Sequence, residues 1–177
     1  MRRILPALAA LALAVPVSLG ATAASFAPAD ASSHTSMGTT VRVDGRVAHP
    51  MRLGSAELAK FAQHNVTVDF AAGSGTQHHT YTGPTLLDVL QAAKPRFKPA
   101  VKNDSLRYAV VVTATDRYKA VVSWAEIDPH YADTEVLLAT SEDGAHLDRP
   151  RLVVPGDEHG GRYVSDVVSV RLTRPGN

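Results

Sequence analysis

Two short stretches of this chain gather side chains capable of chemistry. The run Asp157-Glu158-His159-Gly160-Gly161-Arg162 sets two carboxylates, an imidazole and a guanidinium around a glycine pair. Glycines let a ligand approach the backbone, and a guanidinium holds phosphate-like anions through paired N–H groups. Asp157, His159, Gly160, Gly161 and Arg162 are therefore the candidate cofactor- or anion-binding residues. The competing reading is a solvated hairpin-like loop, with the glycines chosen for their dihedrals and Arg162 pairing Asp157 or Glu158. The second stretch is His78-His79, at the end of a polar, glycine-containing segment (71–79) that reads as a flexible connection. Imidazoles bind copper, zinc or iron. Adjacent residues on a strand face opposite sides, so this pair needs a remote partner such as His159. His78, His79 and His159 form the candidate metal set, against the reading of three polar surface histidines. Asp116 and Tyr118 either flank the same cleft or serve as a turn aspartate and a core tyrosine.

What the chain lacks narrows the chemistry. It has no cysteine, which excludes thiol catalysis, Cys-ligated zinc, iron–sulfur clusters and covalently attached haem. No Gly-x-Ser-x-Gly, phosphate-binding P-loop, dinucleotide fingerprint or His-Glu-x-x-His occurs, so hydrolase and nucleotide-dependent readings have no motif to rest on. Residues 1–23 combine Arg2-Arg3 with an uncharged apolar run and the small-residue site Ala21-Thr22-Ala23, the form of a secretory signal. Without that segment 16 basic residues face 17 acidic ones, which gives nucleic-acid binding no electrostatic support. No later segment is long and apolar enough to insert in a membrane. The expectation is an exported protein, periplasmic or extracellular.

The elements that must position these residues follow from periodicity. Residues 24–38, rich in Ala, Ser, Thr and Pro, read as a disordered tail, and residues 39–174 as a single domain. Val41 and Val43 alternate with polar residues before the Asp44-Gly45 turn, which marks a first strand. Ser55 caps a helix with Leu58, Phe61 and Ala62 on one face, and residues 85–93 form another that stops before Pro95. Ser123-Trp124-Ala125-Glu126 is a capping box, with Trp124 a core anchor. Strand patterns over 65–70, 106–113, 119–123, 135–139, 151–154 and 164–172 bring the expected total to about seven. Many strands with short helices between them, and no regular βαβ alternation, define an α+β class. The expected core is Leu58, Phe61, Val66, Val68, Leu86, Leu87, Leu90, Val110, Val112, Val122, Leu137, Leu138, Leu152, Val154, Val168 and Val170.

Taken in order, Val43-Asp-Gly-Arg-Val-Ala-His-Pro50, Ser55-Ala-Glu-Leu58, Val66-Thr-Val68, Tyr81-Thr-Gly-Pro-Thr-Leu-Leu-Asp-Val-Leu90, Thr115 to Glu126, Leu137-Leu-Ala139, Arg151 to Asp157 and Gly160 to Val164 resemble the molybdopterin-binding domain of the sulfite-oxidase type. The resemblance implies a mixed, mostly antiparallel α+β fold. Its larger relatives hold molybdenum on a pterin dithiolene, with one cysteine thiolate as protein ligand, and molybdopterin is the cofactor it implies. Three departures stand out. The cysteine of the family pattern follows the strand at 66–70, where this chain has Ala71 and Ala72. Asp116-Arg117-Tyr118 stands where relatives commonly show Asp-Gly-Tyr. Arg162 matches the first of two basic residues suited to the pterin phosphate, but Ser165-Asp166 offers no second. These departures point to a non-catalytic module that binds a small anionic ligand or a partner protein. A molybdopterin-dependent oxidoreductase without a protein thiolate and a His-based metal-binding protein are the alternatives.

Overall fold

The computed structural model describes residues 39–176; the expected signal segment and tail lie outside the described residues. Among the described residues nine strands form two sheets: β1 (Val41–Gly45), β2 (Met51–Leu53), β3 (His64–Ala72), β4 (Gly75–Gly83), β5 (Ala109–Ala114), β6 (Lys119–Ser123), β7 (Leu137–Glu142), β8 (Ala145–Val153) and β9 (Val167–Thr173). One sheet has the order β2-β1-β9-β5-β6, the other β3-β4-β7-β8. Every pairing is antiparallel except β1 with β9. Helices are short: α1 (Ser55–Leu58), α2 (Leu86–Ala92) and α3 (Trp124–Ile127). This is the α+β class expected.

The large core packs the inner face of the five-stranded sheet against α2, α3 and neighbouring segments. A smaller one, Val68, Phe70, Tyr81, Leu137, Ala139, Val153 and Tyr163, belongs chiefly to the four-stranded sheet. Of the sixteen expected core residues twelve are buried, and Phe61, Val66, Leu87 and Val168 are half-buried. Gly45 is obligatory: at φ +94° a Cβ would lie 2.1 Å from the Leu172 carbonyl oxygen.

Three local expectations are corrected. Residues 71–79 are no flexible connection: β3 and β4 pair over nine residues each, around the two-residue turn Gly73-Ser74. On the outer face polar partners meet, Thr67 with Thr80 and Asp69 with His78, while Val66 and Val68 face Tyr81 and His79 on the inner one. A polar strand is stable here because its partners are polar too. Helix α1 is a single turn capped at Gly54, whose N–H donates to Glu57 Oε2 at 2.9 Å. It ends early because the Gln63 side-chain amide takes the carbonyls of Leu58 and Phe61 at 3.0 and 2.9 Å. Leu106 belongs to a 3₁₀ turn, Asp104–Arg107, and the strand starts only at Ala109.

The capping box at Ser123 forms as read, and Thr85, expected inside the second helix, is instead its cap. Thr85 Oγ1 accepts from the Asp88 N–H at 3.0 Å to start α2, and the Ser123 N–H donates to Glu126 Oε2 at 2.6 Å to start α3.

Candidate functional site

The 157–162 loop is laid against the end of β3. The Ala71 N–H donates to the Glu158 carbonyl at 2.8 Å, and Ala71 and His159 form an isolated parallel bridge. Between loop and strand lies a cleft of about 680 Å³, lined by Phe70, Ala71, Ala72, Gly73, Arg151, His159, Gly160, Gly161 and Tyr163. Of the five loop residues expected to form a site, His159, Gly160 and Gly161 line this cavity opposite Ala71 and Ala72, whereas Asp157 and Arg162 do not. Phe70 and Tyr163 stack beside it with ring centroids 4.1 Å apart. Gly160 fits over that stack only because it has no side chain: a Cβ would meet two Phe70 ring carbons at 3.0 Å.

Arg162 faces protein carboxylates. Its Nε and Nη2 donate to Asp157 at 2.8 and 2.6 Å, and its Nη1 donates to Glu126 at 2.7 Å. The fork on Asp157 raises the guanidinium's pKa, with Glu126 adding to the effect. For Glu126 itself burial opposes ionisation, but hydrogen bonds from Arg162 and the Ser123 N–H outweigh it and hold the carboxyl below its ordinary range. Pairing of Arg162 with Asp157 is one of the readings weighed from sequence. Glu126 was legible only as a capping residue; its second oxygen, turned to Arg162, ties α3 to the loop.

Two polar atoms of the cleft-lining residues, Tyr163 Oη and Arg151 Nε, are buried without a hydrogen-bond partner. Burial raises the Tyr163 pKa, so its hydroxyl stays protonated and is a donor at neutral pH. Neither residue carried a sequence signal, since a strand arginine and a tyrosine beyond a glycine loop are common.

Tyr118 is exposed, not a core residue, and its hydroxyl donates to the Gly161 carbonyl at 2.8 Å, so it does reach the loop. Asp116 is the turn aspartate, accepting the Tyr118 N–H at 2.8 Å. Arg117 holds φ +73°, the left-handed region that glycine favours, so the family's glycine at this place answers a turn requirement that this chain meets with an arginine.

The three histidines are not brought together. His78 points outward, its Nδ1 2.6 Å from Asp69, whereas His159 lines the cleft. His79 turns inward, with Nδ1 2.7 Å from Asp143 Oδ2 and 3.3 Å from Glu142 Oε1. Strand alternation separates the pair, as adjacency on β4 requires.

Among solved structures, the sulfane dehydrogenase SoxCD from Paracoccus pantotrophus shares the fold, with a TM-score of 0.62 and 18% identity over 77% of this chain and 38% of that one. The architecture is thus that of a sulfite-oxidase-type molybdopterin domain, and the chain spans about two fifths of the length of that relative. The family model described as the oxidoreductase molybdopterin-binding domain matches residues 29–173, and the chain belongs to that family. Comparison with curated proteins gives no match.

Proposed function

We propose that this domain is an exported, non-catalytic member of the molybdopterin-binding oxidoreductase family whose cleft takes a small anionic ligand. The observation that carries the reading is the cleft wall at the end of β3: Ala71, Ala72 and Gly73 stand there, in a chain without cysteine. In the family pattern this neighbourhood supplies the thiolate that ligates molybdenum. An alanine methyl has no lone pair, so the residues present do not fit a thiolate-ligated metal. Arg162, the match to the family's phosphate-binding residue, has three of its donors engaged by Asp157 and Glu126. The side chains that remain to support an anion are those of Arg151, His159 and Tyr163, which line the cleft.

The test has two arms. Elemental analysis of protein purified from its native host is expected to find no stoichiometric molybdenum; one molybdenum per chain would favour the oxidoreductase alternative and overturn this reading. Titration with inorganic phosphate or sulfate is expected to raise the thermal midpoint. Tyr163→Phe should weaken that response about tenfold, because it removes the hydroxyl donor. It should leave the unliganded protein as stable or slightly more so, since an unsatisfied buried hydroxyl is lost. No response to oxyanions in the wild-type protein would refute the anion site.

A further inference from the structure

We propose that His79, Glu142 and Asp143 form a binding site for one divalent transition ion of the zinc type, separate from the cleft. One donor atom from each of the three lies within 4.8 Å of the others, and they form the one such group among the described residues. Topology builds it. Tyr81 is opposite Glu142 in the β4–β7 register, which places His79 two residues further along β4 on the same face. Asp143 follows β7 directly and is clamped both ways to Thr80: its N–H donates to the Thr80 carbonyl at 2.8 Å, and its Oδ1 accepts the Thr80 N–H at 2.8 Å.

The spacing suits an ion. Zinc bonds of about 2.0–2.2 Å in a tetrahedron set ligand atoms roughly 3.3–3.5 Å apart. His79 Nδ1 stands 3.3 Å from Glu142 Oε1 and 2.7 Å from Asp143 Oδ2, so a small outward movement of the exposed Asp143 admits a cation between them. The supporting contacts are those a ligand set needs. Glu142 Oε2 accepts from Arg151 Nη1 at 2.7 Å, and Oε1 accepts from the Tyr81 hydroxyl at 3.1 Å. The Thr80 N–H occupies Asp143 Oδ1 and leaves Oδ2 for the ion.

Access and charge agree. His79 and Glu142 are about three-quarters covered and Asp143 is half-exposed. Glu142 also lines an open cavity of about 350 Å³ from which waters would complete the coordination. Two carboxylates and a neutral imidazole match a dication, with the Arg151 charge as the opposing one. An imidazole in the set favours zinc over calcium or magnesium, which take oxygen ligands, and the absence of sulfur disfavours copper(I). The rival occupant is a proton, which would leave His79 as an imidazolium paired with the same carboxylates.

Calorimetric titration of the full chain with zinc chloride at pH 7, after removal of metal by chelator, separates the two. One ion per chain is expected, with affinity falling at least tenfold in His79→Ala and in Asp143→Asn and unchanged in His78→Ala and His159→Ala. Asp143→Asn is near-isosteric and partly exposed, so it reports even where His79→Ala fails to fold. Absence of saturable binding, retention of affinity in Asp143→Asn, or an equal loss in His78→Ala would overturn the site. Arg151 touches both sites, so the zinc site is read in the His79 and Asp143 variants and the oxyanion site in Tyr163→Phe, which keeps failure of one proposal distinguishable from failure of the other.

Discussion

Arg162 joins two parts of the molecule through one guanidinium: its own loop, through Asp157 five residues back, and helix α3, through Glu126. The consequence is a pH dependence of known sign. Glu126 has its folded pKa depressed, so its ionisation contributes stability above the ordinary carboxylate range, and that contribution is lost as pH falls through the folded value. Glu126→Gln is therefore expected to cost about 1–2 kcal/mol at pH 7, where it removes charge-assisted bonds to Arg162 and the Ser123 N–H. At a second, acidic pH the cost should shrink, in step with the loss of charge on wild-type Glu126. Denaturant midpoints at the two pH values measure it; a cost that does not change with pH would show that the ion pair contributes nothing through charge.

Among the elements, the β3–β4 hairpin matters most, because its tip forms one cleft wall and its inner face carries both Phe70 and His79. Phe70 is buried and stacked on Tyr163, which sits just beyond the 157–162 loop. Phe70→Leu keeps an apolar side chain but loses the stack, and should cost about 1–2 kcal/mol. It should also speed proteolysis within the 157–162 loop, because Gly160 rests on that ring; unchanged cleavage there would mean that the hydrogen bonds of Arg162, Ala71 and Tyr118 suffice to hold the loop. This hairpin was also the element least legible in the sequence. Residues 71–79 carry Ala, Gly, Ser, Gln and His with Thr76 as the single strand-favouring residue, and their order comes from cross-strand partners that no local window contains. The capping box was legible because Ser123 and Glu126 act within one turn. The site was half legible. The 157–162 loop announced itself by composition, but Arg151, Tyr163 and the inward turn of His79 toward Glu142 depend on which strands become neighbours.

At the scale of the whole molecule, the question is whether the chain could cross a membrane already loaded. By the family resemblance, a protein that carries molybdopterin acquires it in the cytoplasm and is exported folded, which calls for a twin-arginine signal. Arg2-Arg3 meets the minimal requirement, and the apolar run begins at Ile4 directly after the pair. That arrangement suits the general secretory route, in which an unfolded chain arrives without a cytoplasmic cofactor. It agrees with a cleft that has Ala71 and Ala72 where the family pattern has its thiolate. We accordingly expect that replacing both Arg2 and Arg3 by Lys leaves secretion intact, since the general route reads positive charge and an apolar run, whereas the twin-arginine route reads the arginines themselves. Fractionation of cells expressing the double variant measures this directly. Accumulation of folded precursor in the cytoplasm would reverse the conclusion, restore a route for a cytoplasmic cofactor, and place the oxidoreductase alternative above the binding module.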